Sequence, residues 1–173
     1  ATVNLMHITP TLLFAAVCLF SCTAKVTETP LDTVSGFEGN WTGTHKMLGI
    51  EEEFAATYHI QRVADTLVWE FTSTFEGGFT GTAVLSWDAG RAQWAESWKD
   101  SGGEAESVSY GDWDATTATM RASSPGKDWN DPSLDINVLG TTVLKDGAFD
   151  YTMTNSYPDG KTTEVMWIHM TSV

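Results

Sequence analysis

The chain has 173 residues and a formal charge of −14, from 9 Lys+Arg against 23 Asp+Glu. That length suits one domain. A chain so acidic, with no cluster of Lys or Arg, is not built to hold nucleic acid or to dock through a basic face on anionic lipid. With 42% hydrophobic residues and 8 Trp it carries ample material for a core, so disorder is excluded as well.

Residues 1–24 hold no Asp, Glu, Lys or Arg, and Leu12 to Phe20 is an unbroken apolar run. Such a run is too short for a bilayer, which needs about 20 residues, but suits the core of a signal peptide. It ends in Leu19-Phe20-Ser21-Cys22, which resembles a bacterial lipobox, although Phe20 is bulky for its place and the leader lacks a basic residue. Cleavage before Cys22 leaves a cysteine with enough acyl chains for stable anchoring. The expected organisation is a lipoprotein-type signal peptide over 1–21, a flexible tether over 22–35 and a β domain over 36–173. Thr23 after the lipidated Cys22 favours the periplasmic side of the outer membrane; an ordinary secretory signal and a secreted product are the alternative. Cys18 leaves with the signal and Cys22 carries lipid, so the mature domain has no thiol for a disulfide, a zinc cluster or a nucleophile.

From Gly36 onward the apolar pattern has a period of two. Leu67, Trp69 and Phe71 alternate with Val68, Glu70 and Thr72, and Phe149, Tyr151 and Met153 alternate with Asp150, Thr152 and Thr154. One apolar face against one hydroxyl-rich face is the mark of an antiparallel sheet wetted on one side. Strands are expected near 41–48, 54–63, 66–74, 79–87, 92–99, 105–113, 117–123, 134–144, 148–155 and 162–171. Turn signals fall between them, among them Glu76-Gly77-Gly78, Asp88-Ala89-Gly90 and Pro158-Asp159-Gly160. No window reads as an amphipathic helix. Sequential hairpins in this number close into an up-and-down barrel of about 8–10 strands or stack as a sandwich; the barrel is favoured because closure removes exposed edges.

The stretch Trp94-Ala95-Glu96-Ser97-Trp98 holds the strongest chemical signal. On a strand Trp94, Glu96 and Trp98 share a face, so Glu96 is carried inward between two indoles. Desolvation there raises a carboxyl pKa, as at many functional sites, unless an inward cation such as Arg62 pairs with it. His45, in phase with Trp41 and Met47, also points inward, as an acid/base or as a hydrogen-bonded core residue. His59 falls on the wet face, and His169 sits on a strand with two apolar faces. Asp128-Trp129-Asn130-Asp131 with Asp135 groups oxygen ligands, but without EF-hand spacing, and such loops usually cap turns. No zinc spacing, phosphate loop or nucleophile elbow is present, so neither metal nor cofactor is expected.

Gly39-Asn40-Trp41, Trp87-Asp88, Trp98-Lys99-Asp100-Ser101 and the late Asp159-Gly160-Lys161 together resemble the bacterial family known as domain of unknown function 1579, over about residues 36–172. The resemblance implies a lipocalin-like barrel, often secreted or lipid-anchored, and carries no catalytic set. The chain departs from the family near Ser172, where a basic residue is usual.

The leading functional expectation is a lipid-anchored, non-enzymatic barrel holding one small, largely apolar molecule, with Trp41, Tyr58, Trp69, Phe71, Trp94, Glu96, Trp98 and Tyr151 lining its site. Pockets of that kind are typically aromatic with few polar groups. Two alternatives come from other classes. One is an isomerase or hydrolase with Glu96 as general base and His45 as a further candidate; the other is an envelope-interaction lipoprotein whose barrel is filled by its own side chains.

Overall fold

A computed structural model of the chain describes residues 29–103, 106–128 and 130–173. The expected signal peptide, the lipidation site Cys22 and Trp129 lie outside the described residues. Ten antiparallel strands follow one another: β1 (Gly39–Met47), β2 (Phe54–Val63), β3 (Thr66–Ser73), β4 (Phe79–Asp88), β5 (Gln93–Asp100), β6 (Ser107–Asp114), β7 (Thr119–Lys127), β8 (Asp135–Lys145), β9 (Ala148–Ser156) and β10 (Thr162–Ser172). Each pairs with its chain neighbours, and β1 pairs with β10, so the sheet closes into an up-and-down barrel and not a sandwich. The seam runs from Trp41 opposite Ser172 to Met47 opposite Met166. Gly43 makes that seam possible: a Cβ on it would lie 1.8 Å from the His169 carbonyl oxygen.

Alternation places Trp41 and His45 of β1, Phe54, Ala56 and Ile60 of β2, Leu67 and Phe71 of β3, and Ala83 and Leu85 of β4 inside, all buried. On the opposite wall Gly111 of β6, Ala122 of β7 and Gly140 of β8 line up in register as a band of small inward residues, between Trp113, Met120 and Thr142 on the plugged side and Val138 and Ile136 on the other. Most interior aromatic side chains therefore come from β1–β5 and β9, and the far wall carries one band of small residues.

Two strands depart from the sequence pattern for identifiable reasons. β7 runs on through Pro125 to Lys127, past the expected end at 123. Its pairing with β6 stops at Ser123 while its pairing with β8 continues, so the missing N–H of Pro125 faces a side that needs no donor. In β10 the register shifts between Glu164 and Met166. Val165 is the extra residue, and the bulge turns Ile168 and Met170 inward while His169 faces out.

The tether expected over 22–35 is corrected at its end. Pro30–Phe37 forms a 3-10 helix, η1, with Leu31, Val34 and Phe37 buried. Pro30 at its start, the Thr29 cap reciprocated by Asp32 and three apolar residues spaced for one face explain why it folds. It plugs the end of the barrel where β1 begins. Phe37 reaches across to Trp69 on β3 (ring centroids 5.1 Å), Trp113 on β6 (5.6 Å) and Phe149 on β9 (6.1 Å). The Trp41 indole Nε1 donates to the Phe37 carbonyl at 2.8 Å.

Arg62 holds the plug from the barrel rim, 2.7 Å from Asp32 and 3.0 Å from Glu38. Its hydrogen bond is the main cause that lowers the Asp32 carboxyl from 3.8 to about 2. A depressed carboxyl adds stability above its ordinary value and loses it as pH falls toward 2, so the clamp persists at every physiological pH. Exposed pairs of this kind contribute little to global stability. Arg62→Gln is accordingly expected to leave the melting temperature nearly unchanged while the amides of residues 30–37 exchange severalfold faster with solvent. Unchanged exchange would show that the clamp is idle.

Candidate functional site

Strand β5 delivers the central residue. Trp94 is buried at the plugged end, next to Trp87, whose ring lies 5.5 Å away and is itself 39% exposed at the end of β4. Glu96 and Trp98 follow on the same face, farther along the barrel axis. Gly81 on β4 gives Trp98 its position: a Cβ there would lie 2.2 Å from the indole ring, so the indole lies directly against the glycine backbone. The Trp98 Nε1 donates to the Asp100 carboxylate at 3.1 Å.

Around Glu96 the aromatic residues form a continuous wall. Tyr58 lies 4.8 Å from Phe71 and 5.9 Å from Trp69, and Phe71 lies 6.2 Å from Trp98, measured between ring centroids. Tyr151 approaches from β9 and lies over Gly140, where a Cβ would stand 3.1 Å from the tyrosine oxygen. Tyr58, Trp69, Glu96, Trp98 and Tyr151 all point inward yet are only half-buried. Inward side chains that keep accessible surface are not fully packed, and the band Gly111, Ala122 and Gly140 stands on the far wall.

The electrostatics follow from this placement. Desolvation pushes the Glu96 carboxyl from 4.5 up to about 7, and among the described residues no cation or hydrogen-bond donor offsets it. Desolvation also raises the Tyr58 and Tyr151 hydroxyls, and the charge of Glu96 raises both further. These three groups are thus electrostatic neighbours inside one barrel. Arg62, the counter-ion considered from the sequence, is instead engaged with the plug, which corrects that reading.

His45 stands apart, toward the end away from η1. Its Nε2 lies 2.6 Å from the Ser73 hydroxyl, which itself accepts the Phe75 N–H at 3.0 Å. The ring packs against Phe54, Phe71 and Phe75, and desolvation lowers its pKa. It is a buried residue, 3% exposed, and its Nδ1 has no partner among the described residues. Trp69 and Trp113, both against Phe37, likewise keep unpartnered indole N–H groups.

Of the residues expected at the site, Tyr58, Trp69, Phe71, Glu96, Trp98 and Tyr151 come together. Trp41 and Trp94, at 4% and 3% exposure, are consumed by packing near the plug. Trp113 was missed, although its phase with Gly111 and Ser109 was visible in the sequence; so was Phe37, which lies just past the expected tether and before the first expected strand. His59 and His169 are exposed, bonded to Asn40 at 2.7 Å and Asp150 at 2.6 Å. Asp128 spends its oxygens on the N–H groups of Asn130 and Asp131 and on the Tyr157 hydroxyl, as a turn cap does, and Asp135 pairs with Lys127.

No protein-family model matches the chain, and neither does any curated protein.

Proposed function

We propose that this protein is a lipid-anchored barrel of the bacterial cell envelope that binds one small, largely apolar molecule in its interior. The observation that supports the reading is the set Tyr58, Trp69, Glu96, Trp98 and Tyr151. These inward, half-buried side chains belong to a barrel whose far wall carries a band of small residues, Gly111, Ala122 and Gly140. An apolar concavity with a few polar groups is what small-molecule sites usually offer. The indoles report directly on occupancy. A panel of lipophiles titrated into purified protein is expected to change tryptophan fluorescence and to raise the melting temperature for at least one member. No response across the panel would leave a barrel filled by its own side chains as the better account. The anchor is tested separately: Cys22→Ser is expected to move the protein from the membrane fraction to the soluble one.

A catalytic reading has one observation in its favour, the Glu96 carboxyl raised to about 7, where a general base is efficient. It requires a turnover that Glu96→Gln abolishes while the fold stays intact.

A further inference from the structure

Among the described residues the interior carboxylate has no partner of opposite charge. Among the described residues Lys46, Arg91, Lys99, Arg121, Lys127, Lys145 and Lys161 are exposed and off the inward phase, and Arg62, exposed at the plugged rim opposite Leu67, is held by Asp32 and Glu38. The strand neighbours of Glu96 are Leu85 on β4 and Ser109 on β6. The inward face of η1 is apolar, carrying Leu31, Val34 and Phe37. The other titratable groups on the inward phase are Tyr58, Tyr151, His45 and, beyond Trp98 on β5, Asp100, whose carboxylate accepts from the Trp98 indole, and none of them is a cation near neutral pH.

Trp98 follows Glu96 on the inward face of β5 and continues into Phe71 and Tyr58 at centroid spacings of 6.2 and 4.8 Å, and the hydroxyls of Tyr58 and Tyr151 lie within reach of the Glu96 charge. An anion set among π faces is the arrangement that recognises an organic cation. The ring quadrupoles attract positive charge, more strongly where water is excluded, and the carboxylate supplies the counter-charge. A purely apolar ligand would leave Glu96 uncompensated, whereas a cationic one satisfies it. The overall charge of −14 draws the same class of molecule toward the barrel.

Building on the proposed interior site, we infer that its ligand is an organic cation, an apolar body bearing an amine or quaternary ammonium group that pairs with Glu96 inside the aromatic wall. The ammonium sits against the carboxylate and the π faces, and the apolar remainder occupies the space toward the small residues of β6–β8.

The matched probes are phenyltrimethylammonium, whose charge does not titrate, and tert-butylbenzene, its neutral equivalent in shape, each followed by tryptophan fluorescence at pH 5 and pH 8. The cation is expected to bind at pH 8 at least tenfold more tightly than the neutral probe. Its affinity should fall at least tenfold at pH 5, where Glu96 is protonated, and the neutral probe should gain nothing on going to pH 8. Glu96→Gln, which keeps the size of the side chain, should weaken the cation at least tenfold at pH 8 and abolish its pH dependence. If tert-butylbenzene or the lipophile panel binds and the cation does not, the inference falls while the small-molecule reading stands. If neither probe nor any lipophile responds, the interior site itself falls. Binding of the cation that Glu96→Gln leaves untouched would place it elsewhere on this acidic surface and overturn the inference equally.

Discussion

Replacing Phe37 by alanine is expected to lower stability by about 4 kcal/mol, within the range found for emptying a buried phenylalanine site. For a domain of this size that corresponds to a fall in melting temperature of roughly 8–16 °C. Phe37 is 1% exposed and touches three separated strands, through Trp69, Trp113 and Phe149. Its removal leaves a void bordered by rings that cannot collapse, because each is fixed by its own strand, and forfeits edge-on aromatic contacts worth about 1 kcal/mol each. The hydrogen bond from Trp41 ends on the Phe37 backbone carbonyl and survives the substitution, so the loss measures packing alone. Phe37→Leu, which retains much of the apolar volume, should recover more than half of the deficit. A melting temperature within 2 °C of the parent for Phe37→Ala would mean that η1 frays independently of the barrel and is not part of its cooperative unit.

The barrel was legible because each strand repeats one instruction. Period-two alternation and a turn residue every few positions define all ten hairpin arms, and closure follows from the need to cover edges. The departures occur where a single residue interrupts that instruction. The Val165 bulge inserts one position into β10, so the apolar phase switches from odd to even numbers and the strand reads as apolar on both faces. That is why His169 could not be assigned a face until the register was known. Pro125 reads as a stop because a strand interior usually needs its N–H; only the early end of the β6 pairing shows that it does not. The plug was illegible for a different reason. Eight residues of 3-10 helix are too short to display a period, and Leu31, Val34 and Phe37 acquire meaning only from the open barrel end they cover.

The site shows the same division between local and long-range information. Alternation alone puts Glu96 between Trp94 and Trp98 and turns all three inward. It does not show that Trp94 is used up near the plug while Trp98 remains half-buried, since that depends on how far each lies along the barrel axis. It does not reveal that Arg62 belongs to η1, because Asp32 and Glu38 are distant in sequence. The meeting of Tyr58 from β2 and Tyr151 from β9 with Glu96 from β5 is a property of closure, which no stretch of sequence encodes on its own.

Glu96→Gln is expected to stabilise the protein, and only at neutral to alkaline pH. The folded carboxyl titrates at about 7 against an ordinary value of 4.5, so between those values the native state holds a proton that the unfolded chain has released. A group raised in this direction imposes no penalty below about pH 4.5. It costs progressively more as pH climbs to 7 and levels off above it, near 3 kcal/mol by the usual linkage relation, about 1.4 kcal/mol for each pH unit between the two values. An uncharged amide of the same size escapes that cost. The variant should therefore melt roughly 6–12 °C above the parent at pH 8 and close to the parent at pH 5. Other titrations cancel in the comparison: His45, kept neutral by desolvation, destabilises both proteins alike as pH falls, and the raised tyrosine hydroxyls stay protonated throughout. Thermal melts of the two proteins from pH 4 to pH 9 give the whole curve. A difference that does not grow with pH, or a variant less stable than the parent at pH 8, would mean that the carboxylate is compensated within the protein, and the case for a cationic ligand would fail with it.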